Sequence, residues 1–288
     1  MLLVVGANGH VGRAVVSELA GQQHPLRAFV RNPGTFDIRA PNVDIAVGNL
    51  SDVGSVQRAL EGVDTAFLAS TFDPSLPDLQ IRFIELAKAA GVRRIVQLSG
   101  TGADMHRCCV RAFSWYGQVE RALLASGLQH TRLRPTFLMQ ILLKDAHSIA
   151  TQGVICGPYR NVPWLWVDAR DVAGVAAAAL IDDRHAGQIY AITGAEALTF
   201  ADLAARLAVV LNKPVRYHDI TANEMRGRLQ AAGTPPAMIA AALEIWDAYV
   251  SGFLRIEPTS VVNDITGRVP RSVEEFLIDY RDTFLRAA

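Results

Sequence analysis

The chain has 288 residues, 50% of them apolar and 19% charged, and 28 acidic side chains balance 28 basic ones. That balance leaves no field of one sign for nucleic acid or an anionic membrane surface. The longest apolar run, "VAGVAAAALI" at 172–181, is about half the ~20 residues that a membrane-spanning helix needs.

Met1 leads directly into "LLVVG", a short buried strand, with no charged leader before it, so the protein is expected in the cytoplasm. "VGRAVVSELAGQ" keeps helical spacing through Val11, Val15 and Leu19. "PLRAFVR" and "VDIAVGNL" read as the second and third strands, and "SDVGSVQRALEGV" as a helix with Ser51 or Asp52 near its N-cap. A strand "DTAFLAS", a helix "LQIRFIELAKAAGV" ending at Gly91 and a strand "RRIVQLSG" follow. Next come a helix around 113–125 and a sixth strand, "LQHTRLRPTF", stopped by Pro135. The alternation predicts an α/β Rossmann fold, a doubly wound parallel sheet over residues 1–135.

Beyond that the rhythm loosens. Residues 136–164 and 196–288 read as a smaller, mostly helical substrate or lid region, broken at Pro235–Pro236. Residues 165–195 read as a strand end, a capped helix and the strand "GQIYAITG" returning to the main sheet. Asp168 and Asp171, before "VAGVAAAAL", suit helix capping and first-turn dipole compensation better than catalysis. Three cysteines, two of them adjacent in "HRCC" at 106–109, have neither disulfide-framework nor zinc-ligand spacing, so no metal is expected.

"GANGHVG", from Gly6 to Gly12, sits between the first strand and the first helix, where a phosphate-binding turn belongs. Its glycines permit the tight turn and let backbone N–H groups approach a pyrophosphate, aided by the helix N-terminus. An acid about 20 residues on, at the end of the second strand, would favour NAD. Arg31 stands there instead, with no carboxylate until Asp37, and Arg13 adds charge nearby. A guanidinium pairs a 2′-phosphate, so NADPH/NADP is favoured over NAD, the bland reading of Arg31 being a solvated surface side chain.

These pieces, with "VRNP", "VGNLSD", "ALEGVDTAFL", "AAGVRRIVQLSG", "ERALLASGLQHTRLRPTFLMQ", "VDARDVAGVAAAAL" and "GQIYAITGAEALTFADLA", run in order over nearly the whole chain. Together they resemble the NmrA-like branch of the atypical short-chain dehydrogenase/reductases. Its members include NAD(P)H:quinone oxidoreductases, isoflavone-reductase-like enzymes and NADP-sensing regulators. The resemblance implies that Gly6, Asn8, Gly9, His10 and Val11 hold the pyrophosphate and Arg31 the adenosine end. Asn49 and Leu50, where the family commonly has Asp-Leu, would lie beside adenine. Ala69, Ser70 and Thr71 would flank ribose and nicotinamide, with Ser99, Pro135 and Phe137 near the nicotinamide. Ser99 is read either as a catalytic hydroxyl or as a strand-end serine bonding its own loop.

"FSWYGQVERAL" at 113–123 places Tyr116 and Glu120 four residues apart, on one helical face, where related reductases carry Tyr-x-x-x-Lys. A carboxylate in place of the lysine would raise the phenol pKa and make Tyr116 a reluctant base, though still a donor, while Glu120 itself reads as orienting the helix and its neighbours. Relatives with His-x-x-x-Glu make this pair resemble a family variant. A quinone or conjugated acceptor takes hydride into a delocalised system without strong acid assistance. The reading is therefore NADPH-dependent reduction of a quinone-like, conjugated aromatic or enone small molecule. Tyr116 would touch the substrate oxygen, and Phe137, Trp164 and Trp166 would form flat pocket walls. The alternative is a non-catalytic NADP(H) sensor acting through a protein partner, and an isomerase or dehydratase stands third. The protein is expected as a monomer or homodimer.

Overall fold

The computed structural model describes residues 1–105 and 110–286, so the "HRCC" stretch read above lies outside the described residues. The first half alternates as expected: β1 (Leu2–Val5), α1 (His10–Gly21), β2 (Leu26–Val30), β3 (Val43–Val47) and α2 (Val53–Leu60). Then come β4 (Thr65–Leu68), α3 (Leu76–Ala89), β5 (Arg94–Leu98), α4 (Arg111–Ser126) and β6 (Gln129–Pro135). Asp52 caps α2 through its side chain.

The chain continues through β7 (Phe137–Leu138), α5 (Ala146–Gln152), β8 (Val154–Gly157), β9 (Trp164–Val167), α6 (Ala169–Ile181) and β10 (Ile189–Ile192). It ends with β11 (Ala197–Leu198), α7 (Phe200–Leu211), β12 (Arg216–Asp219), α8 (Ala222–Ala231) and α9 (Pro236–Val250), then the short α10 (Val261–Thr266), α11 (Val273–Asp279) and α12 (Arg281–Leu285).

The main sheet has seven strands in the order β10-β6-β5-β4-β1-β2-β3, all pairings parallel. Both faces are covered, which is why strands such as "LLVV" and "TAFL" are apolar without alternation. Val4, Ala28, Phe67, Val96 and Leu133 point to one face, against α1 and α6. Leu3, Val5, Phe29, Ala66 and Ile95 point to the other, against α2, α3 and α4. Burying each such side chain contributes roughly 1.5–3 kcal/mol, so this two-sided core holds the frame rigid.

Asp168 is the N-cap of α6, accepting from the Arg170 backbone N–H at 2.8 Å, as the capping reading expects. Asp171 is not solvated: Arg271, a hundred residues on, pairs with it and ties the C-terminal segment to α6. The return to the main sheet differs in one respect from expectation. α6 and β10 do return, but Trp164–Val167 does not. β9 pairs with β7 and β11 in a second, three-stranded sheet, because the chain leaves the main sheet at Pro135 and resumes as β7 beside β9. A two-stranded parallel pair, β12-β8, completes this side. Its core is aromatic, built on Tyr159, Trp164, Trp166, Phe200 and Phe276. No helix among the described residues is long and apolar enough to cross a membrane.

Candidate active site

The turn after β1 is built by two glycines. Gly6 adopts φ +76°, and a Cβ on Gly12 would stand 2.2 Å from the Gly6 carbonyl oxygen, so α1 seats directly on the turn only without side chains. Gly9 is the N-cap of α1 and has no side chain to cap it, and no acid stands in the first turn. The opening N–H groups of α1, beside His10 and Val11, are thus left for an anion. Partial burial and Lys144 hold the His10 imidazole below its usual pKa, so it is neutral near pH 7.

The remaining sites read from the sequence fall in line along the C-terminal ends of the parallel strands, the edge where such sheets take ligands. Arg31 follows β2, exposed. Asn8 donates to the Thr35 hydroxyl at 3.0 Å, joining the glycine turn to the loop after Arg31. Arg13 does not add free charge there, because it is paired with Asp37. Asn49 and Leu50 follow β3, with the exposed Asn49 side chain accepting from the Ser51 N–H through its oxygen at 3.2 Å. Ala69, Ser70 and Thr71 follow β4; the Ala69 carbonyl lies against Gly6, and Ser70 accepts from Gln80 at 3.0 Å. Ser99 follows β5, and Pro135 and Phe137 mark the end of β6.

The stretch "FSWYGQVE" explains itself in contacts with the loop after β5. Phe113, Tyr116 and Glu120 share one face of α4 and meet Gly102, Gly100 and Ser99 in turn. A Cβ on Gly100 would lie 2.7 Å from the Tyr116 ring, and one on Gly102 2.7 Å from Phe113, so both rings rest on bare backbone. At the third contact the Ser99 hydroxyl donates to Glu120 at 2.6 Å.

Glu120 is buried, and its two oxygens also receive a fork from Arg134 at 2.9 and 2.7 Å and a longer bond from Arg132 at 3.4 Å. The Arg134 guanidinium, held above its usual pKa chiefly by this bond, also reaches Asp104. The carboxylate expected to act on Tyr116 is thus spent on two arginines. The phenol is pushed up to about 12, in the expected direction, but burial is the cause. Its hydroxyl has no hydrogen-bond partner among the described residues. Ser99, buried, bonds neither its own loop nor an open cleft but α4.

The flat walls fall differently from expectation. Trp164 and Trp166 are each 1% exposed and belong to the core beyond the sheet edge. Trp166 donates its indole N–H to the Leu198 carbonyl, whereas the buried Trp164 N–H finds no acceptor among the described residues. Phe137 is half-buried between them. Two aromatic residues that the sequence reading passed over stand at the edge. Phe72, following Thr71, lies 6.1 Å from Tyr116 with the rings nearly parallel, and Tyr249 of α9 lies flat on Trp164 at 4.1 Å. The signal for Phe72 was its place just after the β4 loop; for Tyr249 none was available, since its partner is 85 residues away. Among the described residues no three His, Cys, Asp or Glu side chains gather as metal ligands would. Two cavities, of about 380 and 350 Å³, lie on the flanks of α9 and α1, and Tyr116 lines neither.

A sequence profile for an NAD(P)H-binding family matches residues 6–183. The chain is 33% identical over 281 residues to the NAD(P)H azoreductase of Xenophilus azovorans, spanning 96% of both. It is 34% identical over 284 residues to the (4-alkanoyl-5-oxo-2,5-dihydrofuran-3-yl)methyl phosphate reductase of Streptomyces griseus subsp. griseus, spanning 99% of both. Among solved structures, an NADPH-dependent quinone oxidoreductase from Escherichia coli, complexed with NADPH, superimposes with a TM-score of 0.85 at 24% identity. That match covers 98% of this chain and all of the other, and shows a shared fold.

Proposed function

Since the chain belongs to the NAD(P)H-binding, NmrA-like branch of the atypical short-chain dehydrogenase/reductases and is an NAD(P)H-dependent oxidoreductase, we propose that it passes hydride from NADPH to a quinone-like or otherwise conjugated small molecule. The observation that carries this reading is the spent carboxylate. With Glu120 held by Ser99, Arg132 and Arg134, no cation or free base among the described residues pairs with Tyr116, whose phenol burial pushes up to about 12. A neutral phenol can donate one hydrogen bond but does not act as a strong acid. Acceptors that spread the incoming charge over a π system suit such a site. The azo group, the 5-oxo-2,5-dihydrofuran and the quinone in the relatives' names are all of that kind.

The cofactor, when bound, supplies the hydride. The chain's own part is to hold it along the strand ends and to exclude water. The α1 N-terminus would hold the pyrophosphate, and Arg31, free of any ion pair among the described residues, would pair the adenosine 2′-phosphate. Asn8 and Thr35 brace the loop between them. Ser99 acts here as a positioning residue, fixing α4 through Glu120, while Tyr116 meets the acceptor oxygen. The relatives' reductase names favour turnover over a purely regulatory role. The test is NADPH oxidation followed at its nicotinamide absorbance, with 1,4-naphthoquinones, azo dyes and unsaturated lactones as acceptors. Consumption with at least one class and faster turnover with NADPH than NADH is expected; none with any would remove the proposal.

A further inference from the structure

The helix that carries Tyr116 starts without a cap of its own. The N-cap residue of α4 is Val110, whose side chain offers no acceptor, and no acid stands in the first turn. The opening N–H groups of a helix need partners, and a carboxylate placed there also meets the positive end of the dipole. Here the carboxylate comes from 133 residues away. Glu244 of α9 accepts from the Arg111 backbone N–H at 2.9 Å through one oxygen and from the Arg111 side chain at 2.7 Å through the other. It is the one acceptor, among the described residues, for the first three N–H groups of α4.

The same side of α9 closes over the neighbourhood of the phenol. Glu244, Ile245, Ala248 and Tyr249 follow helical spacing, and the last three share a hydrophobic cluster with Val110, Ala112 and Phe113 at the start of α4. Phe72, 6.1 Å from the Tyr116 ring, packs on that cluster too. Elsewhere α9 is held lightly. Of its 15 residues only Ile239, Ala241 and Ala248 are fully buried, and Leu243, Trp246 and Val250 border a cavity of about 380 Å³ on its other flank. Glu120 fixes α4 to β6 one turn beyond Tyr116, so the Glu244 contact is what secures the helix on the N-terminal side of the phenol.

We propose that Glu244 is a positioning residue for the reduction: from α9 it caps the helix that bears Tyr116, so the phenol keeps its place over Gly100 only while α9 is seated. This rests on the reading that Tyr116 meets the acceptor oxygen. Tyr116 lies roughly one and a half turns into α4, within reach of fraying that starts at an uncapped end. Such fraying lifts Phe113 from Gly102 and then the Tyr116 ring from Gly100, the two glycines on which they rest. An acceptor that leaves α9 seated therefore finds the phenol aligned, whereas one bulky enough to raise α9 removes the cap and with it the alignment. The seating of α9 and the placement of the donor become one event.

Hydrogen exchange in the full chain saturated with NADP⁺ reads the cap without turnover. Glu244→Ala, a helix-favouring change at a partly exposed position, should speed exchange of the amides at 111–116 about fivefold, the equivalent of a lost N-cap. Glu244→Gln keeps an oxygen for the Arg111 N–H, and Arg111→Ala keeps the carboxylate while losing the ion pair; both should stay within about twofold of the parent. Exchange unchanged in Glu244→Ala, or equally fast in Arg111→Ala, overturns the cap. Activity reads the positioning. With 1,4-naphthoquinone, Glu244→Ala should lower kcat about threefold at an unchanged NADPH dissociation constant, and the loss should vanish when the change is made in Tyr116→Phe. No loss in the parent, or the same loss in both backgrounds, overturns the positioning role. Should no acceptor be reduced at all, the hydride-transfer reading fails by itself and the exchange result still decides the cap.

Discussion

Glu120→Gln is the substitution that most directly tests the buried knot under α4. Glutamine keeps the shape and one carbonyl acceptor but removes the charge facing Arg132 and Arg134, whose side chains are only 11% and 13% exposed. Removing one partner of a buried ion pair costs ~3–5 kcal/mol, because the remaining charge is left in a poor solvent. Arg134 retains Asp104 at 2.9 Å, and the new amide oxygen can still accept from Ser99, so the low end, about 3 kcal/mol, is expected. At roughly 2–4 °C per kcal/mol for chains of this size, the midpoint should fall by about 6–12 °C. Calorimetry or thermal denaturation without cofactor measures it, since bound nucleotide would mask the loss. Ser99→Ala removes only one hydrogen bond to a charged group and should cost about 2 kcal/mol. A midpoint loss below ~2 °C for Glu120→Gln, or an equal loss for both variants, would refute the account of Glu120 as the anchor.

Three further outcomes follow from the same structure. Tyr116→Phe removes the phenol donor over Gly100 and should lower kcat about tenfold while leaving the NADPH dissociation constant within twofold; with the phenol near 12, the parent's rate should show no alkaline limb from this residue below pH 10. Arg31→Ala should weaken NADPH about 10–100-fold and leave NADH nearly unchanged, as steady-state KM values would report. Burial pushes the Asp145 carboxyl up to about 6, so the folded state binds its proton more tightly than the unfolded chain. Its contribution is therefore fully present below pH ~4 and is lost as pH rises through about 6, on the order of 3 kcal/mol. Asp145→Asn should stabilise the protein at pH 8 and flatten denaturation midpoints between pH 4 and 7; a parallel pH profile would count against it.

Much of the frame was legible because its causes are local. Apolar runs of four or five residues between helical stripes can only be strands buried on both faces, and the glycine turn must lie between β1 and α1. The strand-end positions of Arg31, Asn49, Ala69, Ser99 and Pro135 followed from that rhythm. The misreadings concern pairings distant in sequence. Glu120 orients α4, as its helical position suggests, but the spacing that joins it to Tyr116 hides its actual partners, Arg132 and Arg134 on β6. The clue was present in "RLR": two arginines two apart on a buried strand face the same side and demand a carboxylate there. Trp164 and Trp166 likewise alternate with apolar neighbours in a strand, but both its faces are buried, so neither ring is open. No local pattern announced that β7 and β11, two residues each, would build a second sheet.

Arg94 bears on whether the cofactor half could ever exist alone. It is 1% exposed at the start of β5, and its guanidinium donates to the carbonyls of Leu180 and Asp182 at the end of α6, 86 and 88 residues later. A chain cut after residue 135 would strand that cation in the sheet's interior and bare the edge of β6 that β10 covers. The nucleotide-binding half is thus not a detachable module onto which acceptor regions could be swapped by splicing at its apparent boundary. Exchange between relatives would have to carry α6 and β10 along, which confines variation in what is reduced to the segments inserted around them.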